Sequence, residues 1–463
     1  MEKILFVSFH TRNIIATRIM SNILKKDYIV DVLFFIDFEV LPPNQQKIKI
    51  NYLELKKLFE GYKYILITVN NYIKNIVLKI LKNMNQKIRN KVILGGPTII
   101  TDPNYFSGFV SHLCFWEGEN IDDYLKHIND NEEVPNFDKS KLYHQINNLD
   151  NLPLQNTEFN HYYFHIKNKI IVKKEFDYNG VYTMETMRGC PFNCTFCTNK
   201  IYNQIKKSNN LSIIRKKSIN RIFKELTFFK KKGFYIIEII DNNFFLRSLE
   251  EIRKFVSRYN KDINLPLYLD IDFRSENFLE KFKEINKIKN KLTLFIGIQN
   301  GDEDFRKKEF NRIMSNKKII YFDNKMHKIK NRKMKIRYDF IWGHPSETES
   351  TIINNIKLIR KLKGRIELYR YSELAKGNND SPFSNTDLLS LNNRFLYMQM
   401  MFFVYLNNKS MKIGSIGPIR NKIICKIFSN YAFSKIYSYL LLIKSRFKRL
   451  ITLQKAYHRL TKD

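Results

Sequence analysis

Strand-like and helix-like segments alternate along most of this chain, and that pattern leaves few folds open: a parallel sheet covered by helices, or such a sheet curling toward a barrel. Short apolar runs at 3–9, 28–35, 63–69, 91–94 and 110–116 read as buried strands. Between them, 11–25, 52–60 and 72–88 carry apolar residues at helical spacing. This predicts a Rossmann-like open parallel α/β sheet over residues 1–130. Residues 131–180 are polar, lack a period and contain Pro135 and Pro153, so they read as a linker. Strand-like runs resume at 181–187, 234–240, 267–271, 292–298, 334–341 and 366–371, each followed by helix-like sequence. Six such units predict a partial (β/α)6 barrel of the TIM type over 181–389, with its chemistry at the carboxyl ends of the strands. Residues 390–463 read as a helical, aromatic-rich C-terminal region.

Five cysteines occur, Cys114, Cys190, Cys194, Cys197 and Cys425, and three of them crowd into eight residues. That is too tight for a disulfide framework and typical of a metal site in a reducing compartment. The segment Arg188-Gly189-Cys190-Pro191-Phe192-Asn193-Cys194-Thr195-Phe196-Cys197 directly follows the first barrel strand. Iron–sulfur clusters are held by thiolates, and three ligands on a cubane of four irons leave one iron open. An open position is what a metal centre needs to bind and activate a substrate. Zinc is the competing reading, but structural zinc wants four ligands and the nearest downstream histidine is His327.

The C-x3-C-x2-C spacing, with Phe196 before the last cysteine, resembles the signature of the radical S-adenosylmethionine (SAM) superfamily. The resemblance implies a [4Fe–4S] cluster on Cys190, Cys194 and Cys197, SAM on the open iron, and one-electron cleavage of SAM to a 5′-deoxyadenosyl radical. It carries SAM-binding roles onto Phe196, onto Asp241, Asn242 and Asn243 after the second barrel strand, and onto Arg274 after the third, facing the SAM carboxylate. At the end of the fourth strand, Ile298-Gln299-Asn300-Gly301 resembles the family's G-[IV]-Q-[ST]-G, with Asn300 in place of Ser or Thr. Asn311-Arg312 is then expected in the following helix, and Ile341, Gly343 and Glu347 fall in the motif that lies against the adenine. The resemblance spans roughly 181–385 and implies a reductant such as flavodoxin or ferredoxin.

In the first unit, Gly95-Gly96-Pro97-Thr98 and Glu117-Gly118-Glu119 end successive strands, where paired glycines let backbone approach a bulky ligand. They resemble the cobalamin-binding-type domain that precedes many radical SAM barrels, although the D-x-H-x-x-G motif of other cobalamin proteins is absent. His10, in the first loop, reads either as facing a ligand or as an exposed loop histidine. The resemblance implies a cobalamin-dependent, class B-like methyltransferase acting on an unactivated carbon of a natural-product, peptide or lipid substrate. The alternatives are a cobalamin-independent rearrangement, cyclisation or oxidation, and a non-catalytic scaffold. Transfer-RNA methylthiolation is disfavoured, because such relatives carry three further cysteines in their first domain and only Cys114 stands here.

No G-x-G-x-x-G and no Walker A loop is present, so neither NAD nor ATP binding has support. The 80 Lys and Arg against 45 Asp and Glu give a net charge of +35, but the basic residues are spread through every segment. With no RNA-recognition signature and no purely basic block, nucleic acid is not expected as a partner. The first residues start a strand rather than a signal peptide, and no run of about twenty apolar residues follows, so a cytoplasmic protein without a membrane span is expected. Residues 434–460 mix apolar and basic residues at helical spacing. That suits either peripheral membrane contact or, more plainly, a terminal helix packed on the barrel.

Overall fold

The computed structural model describes residues 1–11, 14–40, 48–115, 117–130, 145–176, 180–371 and 400. The predicted helices of 390–463, Met400 apart, and Cys425 lie outside the described residues. The first sheet contains β1 (Lys3–Ser8), β2 (Ile29–Phe35), β3 (Tyr64–Thr68), β4 (Val92–Gly95), β5 (His112–Leu113), β6 (Tyr162–Ile166) and β7 (Lys169–Lys173), in the order β5-β4-β3-β1-β2-β6-β7. All neighbours run parallel except the β6–β7 hairpin. Alternate residues of one strand serve opposite faces. Ile4 and Phe6 join a core with Leu24, Ile121 and Leu125, whereas Leu5 and Val7 join another with Leu55, Phe59 and Val77. Burial on both faces explains why these strands read as continuous apolar runs.

Three boundaries differ from expectation. Residues 162–173 fall within the expected linker, yet β6 extends the first sheet and turns Tyr162, Phe164 and Ile166 into its core. Their alternation is short and set in polar sequence, so period alone did not mark it. The helix expected over 72–88 breaks into Lys74–Lys82 and Gln86–Arg89, because Asn85 caps the second piece by accepting from Ile88 N at 2.9 Å. Of the strand expected at 110–116, the described residues form only the two of β5.

The second sheet is built from β8 (Val181–Met184), then, past the short antiparallel pair β9 (Met187–Arg188) and β10 (Arg215–Lys216), from β11 (Ile236–Ile239), β12 (Leu267–Ile271), β13 (Leu292–Gln299), β14 (Met334–Trp342) and β15 (Arg365–Arg370). Its six strands are all parallel and stand beside their neighbours in sequence. That is the wall of a partial barrel with helices between strands. One continuous apolar core joins Phe164 and Ile166 of the first sheet to Tyr182, Ile237 and Leu269 of the second. Among the described residues no helix is long and apolar enough to cross a membrane.

Candidate functional site

The three closely spaced cysteines lie on the loop after β9. Cys190 and Cys194 are buried, and Cys197 is partly exposed. Several contacts fix the loop. Asn203 donates to the Cys190 carbonyl and to Asn193 Oδ1, both at 2.9 Å, while Asn311 donates to the Asn193 carbonyl at 3.1 Å. Thr195 donates its backbone N–H to the Phe310 carbonyl at 3.3 Å and its hydroxyl to that of Glu309. Phe196, expected beside SAM, packs edge-on against Phe310 at 5.1 Å between ring centroids. Burial pushes the Cys190 thiol up to about 11, against the pull of the Phe192 N–H. A metal that takes the thiolate would offset that cost.

Gly189 enters the loop with φ of +92°, and a Cβ there would stand 1.8 Å from the Ile213 carbonyl oxygen. Both the left-handed backbone and the clash with main chain require glycine. Gly189→Ala is expected to cost about 3 kcal/mol or more, read as a lowered melting temperature together with lost iron uptake.

Asp272, just past β12, binds two guanidiniums at once: Arg274 Nε at 3.0 Å and Nη2 at 2.9 Å, and Arg312 Nη2 at 2.8 Å. Burial alone would raise this carboxyl, but Arg312 and Arg274 hold it down at about 2. Arg274 also stacks over Phe192, with its guanidinium 3.7 Å from the ring centroid. Arg274, expected to grip a SAM carboxylate, thus has its Nε and Nη2 engaged by Asp272 in this structure. Arg312 lies in a loop, because the preceding helix ends at Lys308 and Asn311 takes φ of +47°.

The strand-end motifs gather as neighbours, although much of their polarity is spent on one another. Asp241 is fully buried and accepts from Thr186 N at 2.6 Å, Met187 N at 2.9 Å and the Thr186 hydroxyl. It thereby turns the chain from β8 into β9. Burial pushes its carboxyl up to about 6 against the opposing pull of Thr186, Arg247 and Met187. Asn243 ties Ser275, Phe245 N and Asp272 N together, while the exposed Asn242 accepts from Asn199 at 2.8 Å. Gln299 follows a register shift in β13 and takes φ of +75°. Asn300 donates to Glu347 at 3.0 Å, and Glu347 accepts from Gly343 N at 2.7 Å and His344 N at 3.2 Å. Glu347 thus welds the fourth- and fifth-strand motifs, and Ile341 stands partly exposed at the end of β14.

Inside the barrel wall, Asp339 Oδ1 is buried without a hydrogen-bond partner. Burial, helped by Glu367 and opposed by Arg337, pushes this carboxyl up to about 7. The folded state then keeps a proton that the unfolded chain has lost. Stability is therefore fully present at low pH and falls as pH rises from about 4 toward 7. Asp339→Asn is expected to raise the melting point at about pH 8, by an equivalent of about 2–4 kcal/mol, and to change it little at about pH 4.

A cleft of about 460 Å³ separates the carboxyl ends of the first sheet from the cysteine loop. Ser8, Gly96 and Gly118 line one side, and Gly189, Asn199 and Asn242 the other. His10 and Pro97 also face it, and Gly95 abuts Cys114 there. Gly96 has φ of +98°, and a Cβ at that position would meet the Val69 carbonyl oxygen at 2.8 Å. Thr98 is buried beneath, donating to Asn71 at 3.2 Å.

Glu117 and Glu119 cross the gap to the barrel. Arg188 pairs with both, reaching Glu117 at 2.6 Å. Arg215 likewise pairs with both, reaching Glu119 at 3.3 Å, and Lys206 stands 4.0 Å from Glu117. Burial would lift the Glu117 carboxyl, but Arg188, Arg215 and Lys206 bring it below its ordinary value. Sequence reasoning missed Asp272, Lys206 and Arg215. Asp272 carried a signal two residues from Arg274, whereas Lys206 and Arg215 carried none.

Among the described residues, no three His, Cys, Asp or Glu side chains converge tightly enough for a single metal ion. A cubane takes each thiolate on a separate iron and needs no such convergence. Residues 184–359 match the family model described as the Radical SAM superfamily. The chain has no match among curated proteins. Its fold is similar to that of TsrM, a radical S-adenosylmethionine methyltransferase from Kitasatospora setae, solved with tryptophan substrate and a SAM analogue. There the TM-score is 0.55 at 13% identity over 80% of this chain and 73% of that one. The same enzyme solved with cobalamin and a [4Fe-4S] cluster gives a TM-score of 0.54 at 13% identity over 80% and 75%. At that identity the likeness is one of fold.

Proposed function

We propose that this chain, whose residues 184–359 match the Radical SAM superfamily model, is a cobalamin-dependent radical SAM methyltransferase acting on an unactivated carbon of a natural-product, peptide or lipid substrate. The observation that carries the reading is the cleft, which opens on the Gly96 turn of the first sheet and reaches Gly189, where the cysteine loop of the second begins. The donor set fits a cluster: three thiols on one braced loop, with polar N–H groups turned toward their sulfurs. The cleft also suits a bulky planar ligand, since Gly95, Gly96 and Gly118 bring no side chains to its lining. TsrM, which shares the fold, holds cobalamin and a [4Fe-4S] cluster in the structure so described.

In this reading Cys190, Cys194 and Cys197 hold the cluster. Phe196, Asn242, Gln299, Asn300, Ile341 and Gly343 border SAM, while Asp241, Asn243, Arg274 and Glu347 keep those segments in place. Gly95, Gly96, Pro97, Thr98 and Gly118 shape the seat for cobalamin, and Glu117 and Glu119 lock the two units around it. When bound, the cofactors supply one-electron cleavage of SAM and a transferable methyl group; the protein positions them and excludes water. A small electron carrier such as flavodoxin or ferredoxin would supply the electron.

A cobalamin-independent radical reaction is the second reading, favoured by the engagement of Glu117 and Glu119 in ion pairs rather than with a ligand. The test is anaerobic purification from cobalamin-fed cells with iron, sulfide and cobalt analysis. About four irons per chain with stoichiometric cobalt supports the methyltransferase. Iron without cobalt moves the assignment to the second reading, and absence of both refutes the proposal.

A further inference from the structure

The three thiols do not meet equal surroundings. Cys190 is approached by the backbone N–H of Phe192, and Cys197 by the backbone and side-chain amides of Asn199, the latter at 3.4 Å. Among the described residues, hydrogen bonds from charged donors reach only Cys194: Arg274 Nη2 stands 3.5 Å from its sulfur and Arg312 Nη1 3.9 Å, while Arg312 acts more weakly through space on Cys197 and Asp272 on Cys190. Both guanidiniums are largely buried, with side-chain exposures of 11% and 6%. Neither is free to swing away. Asp272 clamps both, Phe192 lies under the face of Arg274, and the Gly297 carbonyl accepts from Arg312.

The arrangement leaves two positive charges and one negative charge beside the cysteine loop, with both cations hydrogen-bonded to the Cys194 sulfur. Hydrogen bonds to cluster sulfurs and the net charge nearby set the potential of an iron–sulfur cluster. Those effects grow where water is excluded. Reduction adds a negative charge to the cluster, so cationic donors on Cys194 favour the reduced form, and Asp272 both aims those donors and partly offsets them.

We infer that Arg274, Arg312 and Asp272 form a charge-balanced tuning unit that sets the reduction potential of the cluster through the Cys194 sulfur. This rests on the proposal that the three cysteines hold a [4Fe–4S] cluster. The three residues are positioning residues: they act through Cys194. Loss of one arginine's charge lowers the potential, and loss of the Asp272 charge raises it.

The test is a mediated potentiometric titration of the anaerobically reconstituted full chain without SAM, with the reduced cluster followed by electron paramagnetic resonance. Arg312→Gln and Arg274→Gln are each expected to lower the reduced-to-oxidised ratio at fixed poise about tenfold, equivalent to about 59 mV for a one-electron couple. Asp272→Asn is expected to move it by a similar amount the other way, and Arg274→Lys, which keeps the charge, to shift it less than glutamine does. Unchanged potentials overturn the inference. So does a shift of arginine and aspartate variants in the same direction, which is the mark of a merely loosened site. Where one variant fails to load iron, the sign of the remaining shifts decides. A wild-type protein that takes up no iron refutes the cluster proposal itself.

Discussion

Replacing Cys194 by alanine is expected to leave a folded protein that holds essentially no iron. The substitution deletes one small buried group, a cost of about 1 kcal/mol by apolar burial, far below the stability of a typical domain. Arg274 and Arg312 lose a sulfur but keep Asp272, so no buried charge is stranded. The cluster fares differently. A cubane held by three thiolates has no spare protein ligand, and two thiolates leave two irons open. Iron should fall from about four per chain to near zero, with loss of the visible charge-transfer band and of 5′-deoxyadenosine formation, while far-ultraviolet circular dichroism stays unchanged. An unaltered cluster in this variant would remove Cys194 from the site.

The second large effect lies at the junction between the two units. Arg215 is 1% exposed at its side chain and pairs with Glu117 and with Glu119, itself 1% exposed; it also donates to the Ile146 carbonyl at 2.5 Å. Arg215→Met strands part of two carboxylates, Glu119 buried and Glu117 largely so. Breaking a buried pair from one side typically costs about 3–5 kcal/mol, more than the pair itself contributes, because the abandoned charge stays desolvated. A urea titration of the apoprotein should show that loss. Adding Glu119→Leu should recover part of it, since removing both partners avoids the stranded charge. Simple additivity of the two substitutions would show that Arg215 and Glu119 do not act as a unit. Glu117 and Arg188 of the same junction line the cleft, so if the proposed cobalamin is held there, cobalt retention should fall with it.

These two effects rest on residues with very different visibility in the sequence. Cys194 announced itself through spacing within a single loop. Arg215 sits among ordinary basic residues in a chain with 80 of them, and nothing local distinguishes it. The strand-end motifs fall between these cases. Their positions beside the carboxyl ends of strands follow from chain order, and Asp241, Gln299 and Gly343 indeed stand at or just past such ends. What their side chains face was not legible: Asp241 turns to Thr186 and Met187, and Glu347 to Asn300 and the Gly343 backbone.

The alternation of strands and helices over most of the chain, the parallel run of both sheets apart from the β6–β7 hairpin, and the three-thiol loop were legible in the sequence alone. Each depends on periodicity or spacing over a few residues, which local backbone geometry enforces. Tertiary structure decided the pairings. Arg215 meets Glu119 across 96 positions, Arg312 meets Asp272 across 40 and approaches Cys194 across 118. Such contacts depend on the register of a whole sheet and on how two sheets share one core. The shell that surrounds the cysteines, and the cleft above them, therefore exist only once the chain has closed.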